Sequence, residues 1–275
     1  MSAMPAPLPG ISPPPHEAPR RGSVIAAILA TSDSLSIRST NQSPPVFRLD
    51  QPIIITIDGP AGTGKSSVAR QLAKRLGLDF LDTGAMYRAA AAIALDHGIG
   101  LDQPERLVAK VIEADLHFDW SQDPPAMLAF GRSINGRIRD LDVTAIVSPV
   151  AAIAALREHM VRKQRIIAAQ HPRLVTEGRD QGSVVFPDAI VQFYLTASVQ
   201  ERARRRAQQL AASGSEPDTA SLEREIDARD RSDMGRAVGP LRRPDKATVL
   251  DTSELSFDQV VDELERIVRR RAAEP

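Results

Sequence analysis

The sequence predicts an α/β domain in which helices flank a five-stranded parallel sheet, and two patterns carry that expectation. Residues 53–57 read Ile-Ile-Ile-Thr-Ile, a β-branched run too short for a helix and apolar on both faces, as a strand inside a parallel sheet must be. Further runs of this kind stand at 78–81, 174–176, 190–195 and 247–250, with helical periods between them. Strands alternating with helices specify crossover connections and parallel pairing.

In chain order, residues 1–50 hold nine of the 21 prolines, including Pro13-Pro14-Pro15 and Pro44-Pro45. They show neither period and read as a disordered Pro-rich extension. Arg20-Arg21 ahead of the apolar run 24–30 has the outline of an export signal, but the run is at the short limit and follows a Pro-rich leader. After the first strand, Val68, Leu72 and Leu76 recur every four residues and Gly77 supplies a helix stop. Residues 101–140 break the alternation: apolar stretches at 116–120 and 127–130 around Pro124-Pro125 suggest short antiparallel strands in an inserted subdomain. Residues 149–169, with Val150, Ile153, Leu156, Met160 and Ile167, read as one helix, and 199–210, 221–231 and 256–270 as three more. The expected core is therefore 51–100 joined to 141–275.

Composition narrows the function. The 275 residues carry 35 basic and 35 acidic side chains and no cysteine. Without cysteine there are no disulfides, thiolate metal sites or thiol nucleophiles, and a cytoplasmic location is the expectation. Balanced charge argues against coating nucleic acid, and no apolar run reaches the roughly 20 residues that span a bilayer. Thirty of the 35 basic residues are Arg. That excess reflects either base composition or the two-point binding of phosphate and carboxylate at which Arg excels.

The first strand runs into Gly59-Pro60-Ala61-Gly62-Thr63-Gly64-Lys65-Ser66, a full G-x-x-x-x-G-K-[ST] phosphate loop, with Ser67 next. Its glycines let backbone N–H groups point inward at a β-phosphate, and the following helix adds its positive end. Lys65 is placed to bridge β- and γ-phosphates, and the Ser66 hydroxyl to ligate Mg²⁺. Asp58, at the strand end, either braces the loop or faces the metal through water. The loop specifies ATP-type chemistry with Mg²⁺ as cofactor but not the acceptor. No N-K-x-D guanine-reading motif follows, and the compact core with its insert points to phosphoryl transfer to a small acceptor in a closing site.

Three further blocks lie beyond the loop: residues 81–88 (Leu-Asp-Thr-Gly-Ala-Met-Tyr-Arg), 176–188 (Thr-Glu-Gly-Arg-Asp-Gln-Gly-Ser-Val-Val-Phe-Pro-Asp) and 229–241 (Arg-Asp-Arg-Ser-Asp-Met-Gly-Arg-Ala-Val-Gly-Pro-Leu). With the phosphate loop, and in this order, they resemble the bacterial cytidylate kinases, P-loop nucleoside monophosphate kinases. The resemblance runs from about residue 53 to the C-terminus and implies a sheet ordered 2-3-1-4-5, an insert that binds the monophosphate and a lid near 202–222. It implies transfer of the ATP γ-phosphoryl group to CMP or dCMP, giving CDP or dCDP. By the same resemblance Arg88, Arg179 and Arg236 hold the acceptor phosphate, with Lys65, Arg179 and Arg236 catalytic. Asp180 with Thr83 would accept from the cytosine amine, and Arg157 would donate to the N3/O2 edge. A uracil O4 facing Asp180 would set two acceptors against each other, which discriminates by several kcal/mol. Ser148, Arg229 and Asp233 would meet the ribose, Tyr87 and Arg139 would line the pocket, and Arg202, Arg205 and Arg206 would begin the lid. A monomer acting on small molecules, without nucleic-acid or membrane partners, is implied. Glu177 stands where Asp is more usual, one methylene longer beside a site able to support Mg²⁺.

Overall fold

The computed structural model describes residues 48–212, 214 and 218–273; the extension assigned to residues 1–50 lies outside them except for its last three positions. Ile53–Asp58 (β1), Asp79–Asp82 (β2), Arg173–Gly178 (β6), Val191–Thr196 (β7) and Thr248–Asp251 (β8) form one sheet in the order β2-β6-β1-β7-β8, every pairing parallel. Counted among themselves, these five strands run 2-3-1-4-5.

Alternation along β1 divides the core. Ile53, Ile55 and Ile57 pack against Val68, Leu72 and Leu76 of α1 (Lys65–Leu76) and against Val261, Leu264 and Val268 of α8 (Phe257–Ala273). Ile54 faces the second cluster, formed by α2 (Thr83–Asp96), α4 (Leu141–Ala151) and α5 (Ala154–Gln170). Gly77 closes α1, its N–H bonding back to the carbonyls of Ala73 and Lys74.

Residues 101–140 hold α3 (Pro104–Glu113) and a three-stranded antiparallel sheet of β3 (His117–Asp119), β4 (Ala126–Ala129) and β5 (Arg132–Ser133). The helix α3 was not read from the sequence, although Leu107 and Val111 stand one turn apart with Pro104 at its start. Residues 149–169 are a correction. They do not form one helix: α4 ends at Ala151, with Pro149 in its last turn, and extended backbone at Ile153 separates it from α5. Pro149 reads as a helix start because its missing N–H is harmless there, but the last turn tolerates it when packing of Val143, Val147 and Val150 fixes the helix.

The segment for which a lid is expected lies in a pair of helices, α6 (Val199–Ala212) and α7 (Thr219–Met234), held together by Ala203, Leu222 and Ile226. No described helix is long and apolar enough to cross a membrane.

Candidate active site

The carboxyl ends of β1, β2 and β6 meet in one row, where Asp82 of β2 and Ile57 of β1 both pair with Glu177 of β6. The phosphate loop rises from this edge. Gly59 passes so close to the carbonyl of Leu195 that any Cβ would overlap it, at a φ of 149° that side chains avoid. No side chain caps α1, so its first-turn amides stay available to an anion. Lys65, 5% exposed, folds back over the loop and donates to the Pro60 carbonyl at 2.6 Å. Burial, reinforced by the positive charge of Arg179, lowers its ammonium to about 7 against the pull of Glu177 and Asp58.

Ser66 donates to Glu177 Oε1 at 2.8 Å, and Asp82 lies close enough to that carboxylate to feel its charge. Burial first, then the charge of Glu177, pushes Asp82 up to about 7, although its Oδ1 accepts the Ala85 amide at 2.9 Å. A hydroxyl and two carboxylates thus lie together beside the phosphate loop. Asp58 does something else: fully buried, it accepts the amides of Gln181 at 2.8 Å and Gly182 at 2.7 Å. It braces the turn that follows β6.

That turn carries the next group. Arg157 and Asp180 form a buried ion pair, the guanidinium also donating to the Ala151 carbonyl at 3.1 Å and lying 5.1 Å from the centre of the Tyr87 ring. Gly239, at φ 59°, covers the pair so closely that a Cβ there would overlap both partners. Tyr87 Oη is buried without a hydrogen-bond partner, and burial raises its phenol to about 12. Thr83 commits its proton to the Glu177 carbonyl at 2.7 Å, which leaves its oxygen free to accept.

Beside it, Arg88, Arg179, Arg229 and Arg236 converge. Burial, reinforced by the neighbouring Arg179, Arg88 and Arg236 and opposed by Asp233, lowers Arg229 to about 10. Burial also lowers Arg88, with Arg179, Arg206 and Arg139 adding to the effect and Asp82 opposing it. Asp233, 1% exposed, is the counter-charge: it accepts from Arg179 Nε at 2.9 Å, from Ser148 Oγ at 2.8 Å and from Arg236. Nε of Arg157, Arg229 and Arg236 are all buried without partners. Buried donors seldom go unsatisfied, and several converging guanidinium groups around one carboxylate make a candidate anion site. Arg139 alone of the acceptor-side residues is exposed, its charge still reaching Arg88.

The lid arginines separate. Arg202, 4% exposed, donates to the carbonyls of Ala61 and Ala197 and pairs with Asp230, whose other oxygen accepts the Ala61 amide at 3.3 Å. Arg205 bonds Glu201 and Thr252. Arg206 makes neither kind of contact and is near enough to shift Arg88. Asp82, Asp230 and Gly239 were missed as site residues. Their partners are remote in the chain, and only the occurrence of all three within the resembling blocks pointed to them.

Known proteins resemble this chain over most of its length. The family model described as cytidylate kinase matches residues 55–270. The cytidylate kinase of Nocardia farcinica is 44% identical over 222 residues, covering 81% of this chain and 96% of its own length. That of Azotobacter vinelandii is 44% identical over 225 residues, with the same coverage of each. The Pseudomonas aeruginosa cytidylate kinase is 42% identical over 221 residues, 79% of this chain and 96% of its own. A phosphate loop facing an arginine-lined anion site, in a chain matched over nearly the full length of these relatives, places it in the cytidylate kinase family.

Proposed function

We infer that this protein transfers the γ-phosphoryl group of ATP to CMP or dCMP, yielding ADP with CDP or dCDP. The observation that carries the reading is the cluster of Arg88, Arg179, Arg229 and Arg236, with orphaned buried Nε donors and one carboxylate, Asp233, among them. Such a site takes a dianionic phosphate. The adjoining Arg157–Asp180 pair offers a donor and an acceptor side by side, the polarity that a cytosine edge complements and a uracil edge does not.

The residue roles follow from their positions. Amides of the loop from Gly59 to Ser67 hold the β-phosphate, and Lys65 leaves the Pro60 carbonyl to meet the β- and γ-oxygens. Ser66, Glu177 and Asp82 are hard oxygen donors that fit Mg²⁺ together with phosphate and water. The ion, when bound, neutralises charge on the transferring phosphoryl group. The acceptor phosphate is itself the nucleophile, so the arginines supply position and charge and no general base is needed. Asp233 holds Arg179 and Arg236 in register until the substrate takes over their donors. Ser148, Arg229 and Asp233 face the ribose, and Tyr87, Thr83 and Arg139 complete the pocket. We place the enzyme in the cytoplasm as a monomer.

The test is an ADP-release assay across CMP, dCMP, UMP, AMP and shikimate. CMP and dCMP are expected to be turned over well above the others; equal turnover of UMP overturns the base assignment.

A further inference from the structure

Two residues along the turn from Asp180, Gly182 and Ser183 join the segment 242–246 in lining an open pocket of about 310 Å³, within the range of small-ligand sites. Arg242, Arg243 and Lys246 stand around it, all exposed. None of the three has a hydrogen-bond or ion-pair partner among the described residues, and Asp245, the single acid in the lining, pairs with none of them. Arg137, by contrast, is tied to Asp96, Asp140 and Asp142, and Arg266 to Glu263. Three unpaired cations around a concavity concentrate positive potential where an anion can enter.

The pocket also has unmet polar groups. Ser183 Oγ and Gln192 Oε1 are buried without partners, although the Gln192 amide nitrogen donates to the Pro187 carbonyl at 2.9 Å. Leaving such groups unsatisfied costs about 1–3 kcal/mol each.

We propose that this pocket binds the phosphate group of a small phosphorylated molecule, separately from the phosphate loop and the arginine cradle. Its position couples it to the acceptor site. The Gly182 amide on its wall donates to Asp58, which also holds Gln181 next to Asp180, and the Leu241 amide, just before Arg242, donates to the carbonyl of Asp233.

The experiment is calorimetric titration of the full chain with ADP and CMP saturating, so that both substrate sites are filled. Inorganic pyrophosphate and ribose 5-phosphate are added in separate arms. One further equivalent is expected to bind in at least one arm. Tighter binding of the ester assigns the site to a sugar phosphate, and tighter binding of pyrophosphate assigns it to the free anion. The R242Q/R243Q/K246Q variant, whose substitutions lie outside the catalytic groups, is expected to keep CMP turnover and bind at least tenfold more weakly. No binding beyond the substrate sites in either arm, or undiminished binding by the variant, overturns the proposal.

Discussion

Arg202 and Asp230 grip Ala61 from both sides: Arg202 Nη1 donates to its carbonyl at 2.9 Å, Asp230 Oδ1 accepts its amide at 3.3 Å, and the two side chains pair at 2.5 Å. The α6–α7 pair is thereby fastened to the phosphate loop at Ala61. Removing one partner of a buried pair leaves a charge without compensation, at about 3–5 kcal/mol. Arg202→Met is expected to lower stability by that order in denaturant unfolding. Asp230→Asn, which keeps an oxygen for the Ala61 amide, is expected to cost less. Equal and small effects of both would show that the grip does not hold the loop.

Lys65 is buried against the Pro60 carbonyl, and its ammonium is lowered to about 7 from its ordinary 10.5. The unfolded chain therefore binds more protons at this lysine between about pH 7 and 10, and the contribution of Lys65 to stability rises with pH across that window. Polyphosphate favours the ammonium and reverses the shift. ADP binding at pH 8 is expected to take up a proton, read from calorimetry in buffers of different ionisation enthalpy. Lys65→Met should abolish both uptake and turnover while leaving the circular dichroism spectrum unchanged.

Asp233 has Arg179, Arg236 and Ser148 as partners and no exposed surface to speak of. Asp233→Asn keeps the shape and removes the charge that orders Arg179 and Arg236, the two guanidinium groups proposed to bind the acceptor phosphate. The KM for CMP is expected to rise at least tenfold with the KM for ATP within about threefold, since ATP meets the other wall of the site. Parallel losses for both substrates would argue that Asp233 serves the fold rather than the acceptor.

Gly239 lies over the Arg157–Asp180 pair with no room for a methyl group, at a φ of 59°. Gly239→Ala must move the segment 236–241 or split the pair. The expected result is a large loss of CMP affinity and weaker discrimination against UMP, with ADP binding retained. Unchanged selectivity would separate Gly239 from base recognition.

Much of this was legible in the chain because it is local. The phosphate loop is written in consecutive residues, and the apolar runs of the three inner strands β1, β6 and β7 are buried on both faces, whereas the edge strand β8 leaves Val249 exposed. The helix α2 was silent for the same physical reason that makes it central: Ala89, Ala90, Ala91 and Ala92 are all buried, so no polar face gives it a period. Asp230 could not be assigned a partner either, because Ala61 lies 169 residues away. The order of motifs selected the arginines, but which of them is spent on structure is decided only by packing.

That decision yields the last prediction. Among the first arginines of the lid, Arg202 is committed to Ala61 and Asp230, and Arg205 to Glu201 and Thr252. Arg206 is left without an ion pair among the described residues, and its charge is felt by Arg88 of the acceptor cradle. A guanidinium held near the cradle without a partner can meet charge that develops on the phosphoryl group in flight, and one such donor is worth about 10²-fold or more in rate. Arg206→Ala is therefore expected to lower kcat by about two orders of magnitude with little change in the unfolding midpoint. Arg205→Ala should lower that midpoint through loss of the Glu201 and Thr252 contacts and leave kcat within about threefold, since a group tied to the fold contributes little that is specific to the transition state. Single-turnover rates and melting curves measured on the two variants decide it: if Arg205→Ala carries the rate loss and Arg206→Ala the stability loss, the assignment is reversed.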